Sequence, residues 1–535
     1  MTQPNHGAPR PAEWADLRQL AGYSSCSFSS VSVYMARLQH IWDYSRSTSR
    51  YYLKPILFKK FPNIPGPTPW PVFGNMLEFF KKRGAGIMDI QYFKKYGKMY
   101  RMFEGRVETI VIADTDMLKQ ILIKDFGDFK NRRVIPLRGV LKKGLFDSTD
   151  HDWERLRHLL TPSFTSGKLK KMIPLIQQCT DNLVANLEEY AKRKEAAEMK
   201  KMNGAFAMDV IASTAFGLSL DSQRDVNNPF LTNALKLSNL SFTSPLVFMA
   251  FFLPFMIPLL EKMGYVLGGA EPVSFFSDFI QRTINDRQQD KKSRVDFLQL
   301  MLDAEQDELD KEGRESLEGV APVDEQEKTK GFTTEEILAQ GVLFFLAAYD
   351  TTSNAMSFLM YTLANHPEAQ EKLHEEVVQV MRDYKEANYD ALSKMTYMDM
   401  CIQETLRLYP PVGRVDRRTS RDVTVGDLFI PADTVVVIPI FALHNDPEVF
   451  PEPREFRPER FANEEKSDRN QFSYLPFGLG PRHCIGQRLA LMEIKLAFTK
   501  LVQKYRFLPS EKKPDFEYAF GTRSLNGVWI ELELR

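Results

Sequence analysis

The chain has 535 residues, enough for a large core, and its length alone argues for three or four domains unless one motif set accounts for the whole. Seventy Lys and Arg balance seventy Asp and Glu, so nothing in the charge points to nucleic acid, and any basic docking face has to be local. Hydrophobic residues make up 43%, with 39 Phe, which fits an apolar interior or pocket and excludes a disordered chain. The four cysteines (Cys26, Cys179, Cys401, Cys484) lie far apart with no CxxC pair, which excludes a disulfide scaffold and a zinc-finger pattern and fits a reducing, cytosol-facing location.

Residues 1–50 are polar and serine-rich, with acids at Glu13, Asp16 and Asp43 that argue against a mitochondrial transit peptide, and no run there is apolar enough to span a bilayer. Residues 61–75, FPNIPGPTPWPVFGN, carry five prolines and predict a stiff, extended segment. Met99–Phe103 and Thr109–Ile112 read as strands, and Asp114–Lys124 as a helix capped by its aspartate. In His151–Leu160, Trp153 and Arg157 are four apart and share a helix face. An indole donor beside a guanidinium can grip a carboxylate; the plainer alternative is a surface helix that packs its Trp inward. Asp209–Leu220 reads as an apolar core helix. Pro245–Leu260 is a run of sixteen uncharged residues interrupted by Pro254 and Pro258, short for a span, which reads as dipping into one leaflet, with a buried core helix as the alternative.

Asp303–Gly331 alternates acids and lysines and reads as a solvated connection. Thr333 or Thr334 then caps a long apolar helix, Gly341–His366, that Pro367 stops; at ~26 residues it is about 39 Å long, enough to cross the domain as its buried centre. Asp350, Thr351 and Thr352 interrupt its apolar character, and buried polar groups need a bonding partner or a function. A threonine can capture a backbone carbonyl and open a local bend. Glu404 and Arg407 lie one turn apart and can lock to Arg460 in Pro458–Phe461, while Val423–Val425 and Thr434–Ile440 read as strands of a small sheet. In Gln471–Phe498, Cys484 stands between a loop punctuated by Gly478, Gly480 and Gly486 and an apolar helix. A helix N-terminus, with Arg482 two residues away, disposes the sulfur to be an anionic metal ligand, and the glycines suit a flat group lying against the backbone.

Phe477, Gly480, Arg482, Cys484 and Gly486 resemble, at the family's spacing, the haem-thiolate signature of cytochromes P450. Ala347, Tyr349, Asp350, Thr351 and Thr352 resemble its A-G-x-[D/E]-T-T helix, with Ala348 where glycine is usual, and Glu404, Arg407 and Arg460 resemble its structural triad. The resemblance runs from Pro62 to the C-terminus and is strongest to the microsomal members of subfamily 3A, more distantly to thromboxane synthase. It implies a mainly α fold (α+β), with a large helical domain around a long central helix and a small β-rich lobe. The division implied is an atypical segment 1–60 without a clear membrane anchor, a hinge over 61–75 and a haem domain over 76–535.

The resemblance further implies haem (Fe-protoporphyrin IX) ligated by Cys484 and held by Arg132, Trp153, Arg157, Arg417, Arg482, Phe477 and Gly486. Thr351 would hydrogen-bond the oxygen and Asp350 relay protons, with Ala348 narrowing the oxygen groove, while Ala347, Pro411, Val412, Gly413 and Gly521–Leu525 face the pocket. The implied activity is insertion of one atom of O2 into lipophilic substrates, namely steroids, fatty acids or xenobiotics. Its electrons come from NADPH through cytochrome P450 reductase, docked near Arg155, Arg488 and the cysteine loop, with cytochrome b5 as a further partner. The implied location is the cytosolic face of the endoplasmic reticulum membrane. Two alternatives are an isomerase of fatty-acid peroxides, a class that tends to lose the acid–alcohol pair retained here, and a haem-binding sensor without turnover.

Overall fold

The capping box at Thr333 starts the element around which the chain packs. Its hydroxyl accepts from the Glu336 N–H (3.2 Å) while the Glu336 carboxylate accepts from the Thr333 N–H (3.0 Å). The central helix that follows covers Thr334–Asn365, 32 residues or about 48 Å, and ends ahead of Pro367. It therefore begins before Gly341, which lies inside it because a Cβ there would meet Ile280 at 2.6 Å. The computed structural model describes residues 60–225, 227–238, 245–289, 296–305 and 331–535. Expectations for residues 1–59 and for most of the acid- and lysine-rich connection, 306–330, lie outside the described residues.

Helices Ser166–Arg193, Met199–Phe216, Ala270–Gln289, Thr396–Leu408 and Gln487–Lys504 surround the central helix or one another in a single large core. Many phenylalanines serve this core: Phe345 stacks on Phe216 (4.6 Å) and Phe276 (4.8 Å), with Phe230 beside them. The helix expected over Asp209–Leu220 starts earlier, because Glu198 accepts from the N–H groups of Lys200 and Lys201, and stops at Gly217 in the left-handed region. Residues 303–305, expected to belong to the connection, complete a helix over 297–305.

The strands are β1 (Met99–Glu104), β2 (Val107–Ile112), β3 (Ala197–Glu198), β4 (Val415–Arg418), β5 (Val423–Val425), β6 (Leu428–Ile430), β7 (Val435–Ile438), β8 (Tyr505–Pro509), β9 (Phe516–Tyr518), β10 (Thr522–Ser524) and β11 (Trp529–Leu534). The largest sheet has the order β1-β2-β7-β4, with only β2 and β7 parallel. The strand expected to reach Ile440 ends at Ile438, because Pro439 has no N–H to give the ladder and turns the chain into helix Ile440–His444. The proline-rich segment lies along β1: Arg101 donates to the Pro65 carbonyl (2.9 Å), and a Cβ on Gly66 would collide with the Arg101 carbonyl. Asp114 caps Thr115–Lys119 as expected, and the rest of that helix widens into a π turn, Gln120–Lys124. The architecture is a helical body with a small β lobe, the mainly α fold class expected.

Pro245–Leu260 breaks at its prolines into helix Pro245–Phe252, the 3-10 turn Pro254–Met256 and helix Ile257–Lys262. Val247 and Leu260 pack with Leu137 and Leu267, while Phe255, Leu259, Met263 and Tyr265 are exposed. Among the described residues no helix is long and apolar enough to cross a membrane.

One buried group in the cysteine helix Gln487–Lys504 makes stability pH-dependent. Burial pushes the Glu493 carboxyl up to about 8, far above its ordinary value near ~4.3. Between those two values the folded state keeps a proton that the unfolded chain has released, so this residue's contribution to stability is lost as pH rises through that window. Glu493→Gln is expected to flatten the decline and raise the denaturation midpoint at pH 8 above that of the unsubstituted protein; chemical denaturation across the window checks this.

Candidate haem-thiolate site

The cysteine loop is held by its own backbone. Cys484 donates its N–H to the Phe477 carbonyl (2.9 Å) and His483 to Gly480 (2.9 Å). Gly480 has φ +79, and a Cβ there would stand 2.1 Å from the Leu122 carbonyl of the π turn, so no other residue fits. At Gly486, by contrast, a Cβ would meet no protein atom within 4 Å; the backbone there can accept a flat group at close range. Cys484 keeps accessible surface, whereas Cys179 and Cys401 are buried.

Burial pushes the Cys484 thiol up, while the N–H groups of Gly486 and Gln487 and the guanidiniums of Arg157 and Arg132 pull it down to a lesser degree. The helix N-terminus thus acts as expected, but Arg482 is not the helping cation. Its Nε donates to the Lys130 carbonyl (2.9 Å) and Nη2 to Ser148 (2.8 Å), and its guanidinium lies 4.3 Å from the Trp153 ring centre. A coordinated metal ion would hold the sulfur as a thiolate, because a coordinating thiol loses its proton.

The guanidiniums around the cysteine lack acids of their own. Segment Asn131–Arg133 runs beside β4: Arg418 donates its N–H to the Asn131 carbonyl (2.8 Å), and Arg133 gives its N–H and Nε–H to Asp416 (3.0 and 2.7 Å). Alternation along extended backbone then places Arg132 and Arg417 on the side away from that ion pair. Arg417 is buried, and among the described residues its Nε and that of Arg132 have no hydrogen-bond partner. Burial and the nearby Arg132 hold Arg417 down to about 9, and burial with Arg132 and Arg417 holds Arg482 down to about 8. The nearest acids are engaged elsewhere, Asp416 by Arg133 and Asp147 by Arg138. Orphaned donors and surplus positive charge fit the carboxylates of a haem.

Helix Asp150–Leu160 stitches this region to the cysteine loop. Trp153 is buried under Arg482, and Arg157 one turn on donates to the His483 carbonyl (3.0 Å). Arg155 points elsewhere: its guanidinium pairs with Glu336 and donates to the Gly331 carbonyl (2.6 Å), so it joins this helix to the central helix and is not the exposed docking cation expected. Arg488 is exposed as that role requires.

On the central helix, Leu343, Ala347 and Thr351 form a less buried stripe at i, i+4, i+8. Thr351 donates to the Ala347 carbonyl (2.7 Å), the expected capture, within a helix that stays continuous. Asp350 turns toward helix Met199–Phe216, where Lys200 Nζ donates to its Oδ1 (2.7 Å). Ala348, beside Ala347, is partly buried and packs against the core. Val412 is exposed and Gly413 is buried: its N–H bonds the Phe520 carbonyl (2.7 Å) and its carbonyl accepts from Phe441, which joins it to the last turn. Gly521 belongs to the same joint, since a Cβ there would overlap the Pro411 carbonyl. Motif reading passed over Lys200 and also Gln340, whose amide bonds the Lys143 carbonyl (3.1 Å) and the Leu145 N–H (2.9 Å); a buried amide in an apolar helix was the available signal for the latter.

Glu404 and Arg407 are fully buried and doubly bonded (2.8 and 2.8 Å). Arg407 also donates to the carbonyls of His444 (2.9 Å), Pro453 (2.7 Å) and Glu455 (3.1 Å), and Arg460 Nε lies 3.3 Å from Glu404. His444, kept neutral because burial and then Arg407 hold it down to about 3, accepts the Leu475 N–H at Nε2 (2.9 Å). The triad therefore reaches the cysteine loop through one imidazole.

An accessible cysteine at a helix end, an alcohol and an acid on the central helix, and a ring of unpaired guanidiniums define a haem-thiolate enzyme. The family model for Cytochrome P450 matches residues 64–529. Cytochrome P450 3A29 of Sus scrofa is 42% identical over 458 residues, 85% of this chain and 87% of its own length. Cytochrome P450 3A6 of Oryctolagus cuniculus is 42% identical over 453 residues (84% and 87%), and cytochrome P450 3A2 of Rattus norvegicus 41% identical over 458 residues (85% and 87%). The chain belongs to the cytochrome P450 family, resembles its 3A members, and is a monooxygenase whose cofactor is haem with an axial cysteine thiolate.

Glu404→Ala leaves Arg407 buried without its acid, which costs about 3–5 kcal/mol. Chemical denaturation of the holoprotein is expected to show that loss, with haem retention falling in parallel because the cysteine loop loses its support.

Proposed function

We propose that Cys484 is the axial ligand and that the enzyme oxygenates lipophilic small molecules, namely steroids, fatty acids or xenobiotics. NADPH supplies electrons through cytochrome P450 reductase, with cytochrome b5 as a second donor. The observation that carries the ligand assignment is geometric: Cys484 keeps accessible surface just ahead of helix Gln487–Lys504, whereas Cys179 and Cys401 are buried. Cys401, by contrast, is buried among Glu376, Glu459 and Glu404, which raise its thiol further. A thiolate there would meet negative charge on several sides.

Bound haem supplies the one-electron and dioxygen chemistry. Cys484 would ligate the iron as a thiolate that donates electron density, and Arg132 and Arg417 would hold the carboxylates. Ala347 and Val412 offer apolar surface to the substrate. Thr351 rests with its hydroxyl proton on the Ala347 carbonyl; rotation of that hydroxyl lets it donate to dioxygen instead. Asp350 relays protons in this reading, and Lys200, which donates to its carboxylate (2.7 Å), fixes its position. One oxygen atom enters a C–H bond; the other leaves as water, with two electrons and one proton from NADPH and the second proton from solvent. The exposed Phe255, Leu259, Met263 and Tyr265 support attachment of this surface to the endoplasmic reticulum membrane, and Arg488 supports a redox partner at the cysteine side.

The dithionite-reduced protein with carbon monoxide is expected to absorb near ~450 nm and Cys484→Ser to lose that band; a retained band refutes the ligand assignment. Thr351→Ala is expected to lower product at least ~10-fold while NADPH consumption with reductase continues. Rearrangement of a fatty-acid peroxide without NADPH would instead support the isomerase, and absence of turnover with any lipophile the sensor.

A further inference from the structure

The turn between Gly144 and Ser148 touches three parts of the site. Gln340 of the central helix binds the Leu145 N–H (2.9 Å) and the Lys143 carbonyl (3.1 Å), so the turn is fixed to the helix that carries Thr351. Arg482 of the cysteine loop donates to the Ser148 carbonyl (2.8 Å), so the same turn is fixed to the segment that carries Cys484. Arg138 holds Asp147 (2.9 Å). Between these anchors the Phe146 side chain is 39% exposed, a large apolar group kept out of the core on a rigid support. The Arg132 guanidinium carbon lies 4.1 Å from its ring centre.

We infer that Phe146 is a positioning residue for the haem, an aromatic platform that holds Arg132 flat so that its unpartnered Nε–H meets a haem carboxylate. Arg132 needs such a device, because no acid is committed to it: Asp416 is taken by Arg133 and Asp147 by Arg138. A carboxylate in place of the ring would neutralise the cation and compete with the haem for its donors. A phenyl face attracts the guanidinium through its quadrupole and leaves every N–H free to bond outward in the ring plane. The sequence carries this pairing as Arg132 and Phe146, far enough apart that only the fold reveals it. The inference rests on the reading of Arg132 as a haem carboxylate partner and adds the residue that aims it.

Transfer of haem from the holoenzyme to excess apomyoglobin tests both. Arg132→Ala alone tests the underlying reading, and haem loss at the unsubstituted rate would refute that reading. Phe146→Leu keeps apolar bulk without the quadrupole and is expected to speed haem loss roughly fivefold, the size of an ordinary cation–π contact, while Phe146→Tyr stays close to the unsubstituted rate. In the Arg132→Ala background Phe146→Leu is expected to add nothing, and the reduced carbon monoxide band reports that thiolate ligation is intact in each variant. Equal rates for Phe146→Leu and the unsubstituted protein, a Tyr variant as leaky as Leu, or additive effects in the double variant would each overturn the role of Phe146 while leaving that of Arg132 standing.

Discussion

The cysteine loop depends on a charge pair that never meets water. Glu404 and Arg407 are both fully buried, and removing two such ions from solvent is unfavourable unless nearly every lone pair and proton is used. Here the use is close to complete, with two bonds between the partners, three backbone carbonyls on the guanidinium and the Arg457 N–H on the carboxylate. Those carbonyls belong to His444 and to the irregular run 453–455, which has no ladder or helix of its own to define it. The ion pair substitutes for secondary structure: it gives loop carbonyls a fixed donor, and the neutral His444 ring passes that order to Leu475 and the loop that ends at Cys484.

On the other side of the cysteine the electrostatics are left unfinished. Burial holds Arg132, Arg157, Arg417 and Arg482 below their ordinary values, and Arg132 adds to this at Arg157, Arg417 and Arg482. A folded chain tolerates this because the missing negative charge comes with the ligand, whose binding then stabilises the native state by mass action. The two halves of the site thus differ in kind. The triad is complete within the chain and supports the loop, whereas the arginines keep donors at Arg132 and Arg417 that a bound carboxylate would complete.

Much of this was legible in the sequence, and what was missed has a common physical reason. The resemblance located the cysteine loop, the triad and the Trp153–Arg157 helix, because the loop, Glu404–Arg407 and Trp153–Arg157 are each short patterns whose residues stay neighbours after folding. The direction in which a side chain points was not legible. Arg155 and Arg157 are two apart on one helix, yet one turns to Glu336 and the other to His483. Arg482 neighbours Cys484 in sequence but gives its donors to carbonyls of the segment from Lys130 to Ser148. One helix start was misjudged where the cap lay outside the apolar run: Glu198 starts its helix ahead of the hydrophobic pattern, whereas the cap at Thr333 was legible. Ala348 differs from the family's glycine in composition, but only packing tells whether its methyl meets the cavity or the core.

The central helix shows how a buried element can carry reactive polar groups without leaving donors unpaired. Thr351, Ser353 and Ser357 each return their hydroxyl proton to the carbonyl four residues back, at 2.7, 2.5 and 2.6 Å. Such back-bonding is slightly unfavourable in a helix, but far less so than an orphaned hydroxyl in the core. Ser353 and Ser357 are then locked further, by Lys200 (2.8 Å) and Asn203 (3.0 Å) of the neighbouring helix, and become structural. Thr351 lies on the open stripe, and its bond to Ala347 is a resting position it can leave. Asp350 stands between the two sets, its carboxylate on Lys200 and its backbone next to Thr351. Burial on one side and exposure on the other thus separate residues of the same chemistry into doubly bonded hydroxyls and one, Thr351, held by a single bond to its own helix.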